Sequence, residues 1–113
     1  KKCNVLAGIS LNPATPFKEI RAFAYSADIV LVMGVEPGAS GQTTDEETYK
    51  KVAKIHRFKE DNNLNFKIEF DGGVNEKNAQ KLRDLGVDIL VSGSYVYNSK
   101  DRVSAVKFLK GME

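Results

Sequence analysis

Ala27-Asp28-Ile29-Val30-Leu31-Val32-Met33-Gly34-Val35-Glu36-Pro37-Gly38 is the stretch that decides the fold class of this chain. Residues 29–33 are apolar without interruption and lack the alternation of a strand with one wet face. Such a run is expected of a strand covered on both faces, as in a parallel sheet. The strand is read as Asp28–Val35, and similar runs predict strands at Val5–Leu11, Phe66–Asp71 and Asp88–Ser92. Val87-Asp88-Ile89-Leu90-Val91 echoes the opening stretch, since both enter a strand through Asp-Ile.

Helical spacing fills the intervals. A helix is expected over about Pro16–Ser26, with Thr15 as N-cap, Pro16 in the first position and Phe17, Ile20 and Phe23 or Ala24 on its apolar face. A second is expected over about Asp45–Asp61, opened by a Thr44/Glu47 capping box, with Val52, Ile55 and Phe58 or Lys59 on one face. A third runs over about Glu76–Leu85, capped by Asn75, striped by Ala79, Leu82 and Leu85 and ended by Gly86. The last spans about Lys100–Lys110, capped by Ser99, with Val103, Val106 and Leu109 inward and Gly111 at its end.

Strands alternating with helices imply an α/β fold, with parallel strands joined by right-handed crossovers. The 113 residues suit one domain. They hold four βα units, whereas a closed (β/α)8 barrel takes eight in about 250 residues. A half-barrel leaves two sheet edges and an inner apolar face bare. The missing half is expected from a longer polypeptide, of which a chain starting at Lys1 would be a piece, or from a second copy, unless the sheet flattens.

Composition excludes several classes. A net charge of +2, with basic and acidic residues mixed along the helices, gives no nucleic-acid surface. Cys3 is the only cysteine, so there is no internal disulfide and no cysteine-rich metal site, which agrees with a reducing cytosol. No apolar run approaches the roughly 18 residues of a membrane helix, no signal-peptide pattern is read, and a cytoplasmic location is expected.

The chemistry gathers at the C-terminal ends of the strands, where α/β folds bind ligands. The second strand runs into Gly38-Ala39-Ser40-Gly41, the third into Asp71-Gly72-Gly73 and the fourth into Gly93-Ser94. Glycine lets backbone N–H groups turn toward an anion, and neighbouring glycine turns fit one phosphate cradle. The plainer reading is that each glycine serves a tight turn. Asp71 closes an apolar strand; it would hold a divalent metal, move a proton, or simply cap the Gly72-Gly73 turn. Glu69 shares its side of the strand. Met33 ends the second strand beneath a substrate or as plain packing. His56, the only histidine, sits mid-helix and reads as a surface or helix-packing residue rather than a ligand. Tyr95 and Tyr97 read as core or rim.

These motifs resemble the ribulose-phosphate 3-epimerases. Gly8-Ile9-Ser10-Leu11-Asn12-Pro13-Ala14-Thr15-Pro16 is similar to their fifth strand and turn, and Leu31 to Gly38 followed by Ser40-Gly41-Gln42 to the sixth strand and phosphate loop. Ile68 to Val74 is similar to the seventh, and Val91-Ser92-Gly93-Ser94 to the eighth. The resemblance implies a TIM-barrel enzyme of which residues 1–113 supply units five to eight. It would invert carbon 3 of a ketose phosphate, using two aspartates and one divalent metal ion. Asp71 matches the aspartate that is both metal ligand and acid/base. Gly38, Ala39, Ser40, Gly41, Gly72, Gly73, Gly93, Ser94 and Met33 match the phosphate and substrate contacts. The family loop reads Gly-Phe-Gly-Gly-Gln, so Ala39 stands for the aromatic and Ser40 for a glycine, which bears on substrate choice. The second aspartate and two metal histidines belong to the first four units, and His56 matches neither. Allulose-phosphate epimerases share the plan, and hexulose-phosphate synthases are more distant. The alternative is a non-catalytic phosphosugar-binding half-barrel that pairs with itself.

Overall fold

A computed structural model describes residues 5–35 and 45–111. Its elements run β1 (Gly8–Leu11), a 3-10 turn (Phe17–Glu19), α1 (Arg21–Ala24), β2 (Ile29–Met33), α2 (Glu46–Asp61), β3 (Lys67–Asp71), α3 (Ala79–Asp84), β4 (Ile89–Val91), α4 (Ser94–Tyr97) and α5 (Arg102–Leu109). All neighbouring strands are parallel, and the sheet order is the chain order, β1-β2-β3-β4. The chain therefore forms an α/β fold that winds in one direction, without the reversal of strand order found in doubly wound sheets.

The register assigns each residue a face. Leu11, Val32, Phe70 and Leu90 form one row, and Ile9, Val30 and Ile68 the row below it. Most of this face is fully buried, in one cluster with Phe17, Ala24, Val52, Ile55, Leu82 and Leu109 from the connecting segments. The opposite face carries Ile29, Leu31 and Met33, then Lys67, Glu69 and Asp71, then Ile89 and Val91. It stays half-buried to exposed. The apolar run 29–33 predicts cover on both faces; the described residues cover only one.

Several boundaries and caps differ from expectation. The first helical segment breaks at Ile20 (φ −113°, ψ 1°), leaving the 3-10 turn and one short α-helical stretch, with Ala24 buried and Phe23 exposed. Thr44 lies outside the described residues. Asp45 is the N-cap of α2, its carboxylate accepting from Thr48 N at 3.0 Å and Thr48 Oγ1 at 2.8 Å. Asp101, not Ser99, caps α5 by accepting from Ser104 N, while the Ser99 hydroxyl donates to Tyr95 O. In α5 the buried residues are Ala105 and Leu109. Val103 and Val106 are exposed, so the helix is rotated from the expected face. His56 packs against the turn after α3: among the described residues its buried Nδ1 has no hydrogen-bond partner, and it lies beside Gly86.

Both caps have a pH signature. Hydrogen bonds from Thr48, side chain first, hold the Asp45 carboxyl below its ordinary value of 3.8, and those from Ser104, backbone first, do the same for Asp101. The folded state therefore binds these protons less readily than the unfolded chain. The caps stabilise the fold above the ordinary carboxylate range, and the contribution is lost as pH falls through the lowered values. Urea midpoints are expected to drop below pH 4, and the drop to shrink in an Asp45→Asn/Asp101→Asn variant, whose caps do not titrate.

The Asp-Ile echo has a structural meaning. Asp28 N donates to Ala7 O while Asp28 Oδ2 accepts from Ala7 N at 2.7 Å. Asp88 N donates to Ile68 O while Asp88 Oδ2 accepts from Ile68 N at 2.9 Å. The same clasp thus opens the β1/β2 and β3/β4 pairs, and Lys59 Nζ adds an ion pair to the second at 3.4 Å. Asp88→Ala is expected to cost about 1.5–3 kcal/mol, the worth of hydrogen bonds to a charged group, read from the urea midpoint.

Candidate functional site

Met33, Asp71 and Val91 are direct partners across β2, β3 and β4, and each is the last residue of its strand. They form the top row of the open face. Asp71 is half-buried, and among the described residues nothing hydrogen-bonds or ion-pairs with its carboxylate. Its main-chain carbonyl accepts from Gly34 N at 2.7 Å, which fixes the strand end without using the side chain. Capping of the Gly72-Gly73 turn by the carboxylate, the plainer role, is not observed. Glu69 lies two residues down the same face, beside Leu31.

The glycines separate by cause. Gly72 has φ +115°, and a Cβ there would lie 2.9 Å from both Val35 N and Val35 Cγ2. Backbone conformation and close approach to Gly34 and Val35, just beyond β2, require this glycine. Gly73 has φ +76°. Gly93 differs: its φ is −100°, and a Cβ would meet nothing within 4 Å among the described residues. Neither its backbone conformation nor packing against the described residues requires it. Gly93 and Ser94 line a cleft of about 460 Å³ with Ser92, Tyr97 and Arg102. The Gly38-Ala39-Ser40-Gly41 loop lies outside the described residues.

Asn78 is a site residue that sequence reasoning missed. It is buried and holds the turn that follows Asp71. Its amide donates to Gly73 O at 2.7 Å and to Tyr49 Oη at 3.2 Å, and its side-chain carbonyl accepts from Asn75 N at 2.9 Å. Asn75, read as the cap of a helix from Glu76, instead accepts from Lys77 N, and α3 starts only at Ala79. The Asn75-x-x-Asn78 spacing was the available signal. At the other end of the sheet edge, Lys51 donates to Asn12 O and Pro13 O and holds the turn after β1. Burial pushes its ammonium pKa down.

The family model described as the ribulose-phosphate 3 epimerase family matches residues 1–97. The chain belongs to the ribulose-phosphate 3-epimerase family. Curated relatives agree: Helicobacter pylori ribulose-phosphate 3-epimerase is 38% identical over 99% of this chain and 52% of its own length. The Bacillus subtilis enzyme of that name is 36% identical over 98% of the chain and 52% of its length. Arabidopsis thaliana "Ribulose-5-phosphate-3-epimerase, chloroplastic" is 38% identical over 97% of the chain and 39% of its length. The chain thus spans about half the length of these ribulose-phosphate 3-epimerases or less.

Among the described residues, no group of three or more His, Cys, Asp or Glu side chains could hold a metal ion. Hard divalent cations take about six oxygen ligands, and Asp71 offers one carboxylate. The donors described here do not by themselves fit a tightly held metal. No helix of the described residues is long and apolar enough to cross a membrane.

Proposed function

We propose that this chain carries one acid/base carboxylate and part of the phosphate cradle of a ketose-phosphate 3-epimerase of the ribulose 5-phosphate type, as units five to eight of a (β/α)8 barrel. The carrying observation is the placement of Asp71, a carboxylate without a partner among the described residues, at the C-terminal rim of the open sheet face, beside Met33 and ahead of two constrained glycines. Family membership supplies the reaction type.

In a 2-ketose phosphate the hydrogen on carbon 3 is adjacent to the carbonyl and is acidified by it. The Asp71 carboxylate takes that proton, the electron pair moves into the carbonyl and an enediolate forms. An acid on the opposite face, outside this chain, returns a proton with inversion. A general base of this kind contributes about 10²–10⁴-fold. Met33 presents an apolar thioether beside the reacting carbons, where it excludes water. The Gly72-Gly73 turn fixes the end of the Asp71 strand, and the Gly93-Ser94 turn offers backbone N–H groups to the phosphate. A metal would have Asp71 as one ligand, with the others from the first four units.

The Gly93 assignment has a clean test. The aligned segment of the Helicobacter pylori enzyme is replaced by residues 1–113, giving a complete barrel. Gly93→Ala in this chimera is expected to leave the thermal midpoint unchanged and to raise the KM for ribulose 5-phosphate at least about tenfold, equivalent to about 1.4 kcal/mol. A changed midpoint with an unchanged KM would make Gly93 structural instead.

A further inference from the structure

We infer that Asn78 is a positioning residue for the reaction: its side-chain amide holds the Gly72-Gly73 turn and thereby fixes where Asp71 presents its carboxylate, a role that rests on the reading of Asp71 as the acid/base group.

The sequence creates the need for such a brace. Asp71 is followed by two glycines, at φ +115° and +76°. Glycine has the widest choice of backbone conformation of any residue, so a Gly-Gly pair left to itself holds no fixed direction. Two hydrogen bonds bracket the pair. Ahead of it, Gly34 N donates to Asp71 O at 2.7 Å and ties the strand end to the residue just beyond β2. At its far end, Asn78 Nδ2 donates to Gly73 O at 2.7 Å and ties the turn to the start of α3. Asp71 therefore leaves its strand into a segment held from two sides, the second of them by one side chain.

That side chain is itself fixed. Asn78 is only 7% exposed. Its carbonyl accepts from Asn75 N at 2.9 Å, and its amide also donates to Tyr49 Oη at 3.2 Å. Asn75 N can only donate and Gly73 O can only accept, so one orientation of the amide satisfies both. The Asn78 backbone is anchored too, its carbonyl accepting from Leu82 N at 2.9 Å. Tyr49 reaches Asn78 from the first turn of α2, where its ring packs against the buried core and lies 4.1 Å from Lys81 Nζ. Lys81 also pairs with Glu46 at 3.2 Å, but both side chains are largely exposed, and such a pair adds little. The packed tyrosine is thus the firm support. One line of contacts runs from α2 through Tyr49 and Asn78 to Gly73 and the Asp71 strand end. A catalytic group misplaced by about 1 Å can lose about 10²-fold in rate, so this line acts on kcat and not on folding alone.

A double-mutant cycle in the chimeric barrel tests the role. Asn78→Asp keeps the shape of the side chain and the bond from Asn75 N, and the Tyr49 hydroxyl can turn to donate to it. It sets a carboxylate oxygen against Gly73 O in place of a donor. Asn78→Asp is expected to lower kcat for ribulose 5-phosphate by about 10–100-fold and to change KM by less than about threefold. In an Asp71→Asn background the same substitution is expected to change kcat by less than about twofold, because residues that act as a unit are not additive. Tyr49→Phe removes one oxygen and keeps the ring; it is expected to lower kcat by about 3–10-fold, the worth of one hydrogen bond, and it decides the question if Asn78→Asp does not fold. Turnover unchanged by these substitutions, a KM rise with kcat kept, or an Asn78→Asp loss of equal size with and without Asp71 overturns the positioning role and leaves Asn78 a folding residue. Full turnover in the Asp71→Asn single variant overturns the acid/base reading, and the positioning role with it, so the two failures are told apart by that variant alone.

Discussion

Asp71→Asn in the chimeric barrel is expected to lower kcat for ribulose 5-phosphate by about 10²–10⁴-fold, the usual worth of a general base. Thermal stability and sugar-phosphate affinity should stay close to those of the parent chimera. The separation follows from the geometry. The carboxylate makes no hydrogen bond or ion pair with the described residues, and the strand end is held by the main-chain bond from Gly34. Asparagine keeps size and polarity but cannot accept the carbon-bound proton. Exchange of the carbon 3 hydrogen with deuterated water reads the step directly. Asp71→Asn should abolish exchange through this face, whereas a residue that only orients substrate would slow exchange and turnover while leaving the pH profile intact.

Gly72→Ala is expected to do the opposite, damaging the fold first. The new Cβ would sit 2.9 Å from a backbone nitrogen, and the residue would be held at φ +115°. Positive-φ strain of about 1–3 kcal/mol and overpacking of about 1–3 kcal/mol act together, so a loss of about 2–6 kcal/mol is expected in urea unfolding of the chimera. Little relief is available, because two of the three nearest atoms are backbone nitrogens of Gly34 and Val35, just beyond β2. The contrast with Gly93→Ala, predicted to be neutral for folding, divides two glycines that look alike in sequence.

That contrast shows how far the sequence could be read. Element order was legible because Ile29–Met33, Phe66–Asp71 and the helical stripes of Val52/Ile55 and Ala79/Leu82 each match one periodicity. Caps were less legible. Asp101, Ser99 and Asn75 are all good N-cap types, and the choice among them depends on where the preceding loop leaves the backbone. The rotation of α5 could not be read from valine spacing, since exposed valines beside an open edge look like core valines in one dimension. Asp71 stood out as a polar residue ending an apolar strand. Asn78 did not, because its role lies in three bonds to residues brought together only by the fold. Whether Gly72 and Gly93 serve the backbone or a ligand depends on φ and on neighbouring atoms, which composition does not record.

The family and the sheet are settled by separate observations, and the proposed chemistry joins them at one carboxylate. The most direct test is therefore the interconversion of ribulose 5-phosphate and xylulose 5-phosphate by the chimeric barrel carrying residues 1–113, measured beside its Asp71→Asn variant with both proteins shown to be folded by circular dichroism. The account predicts turnover in the first and its loss in the second. A folded chimera that does not interconvert the two sugars, or one whose turnover survives Asp71→Asn, would contradict it.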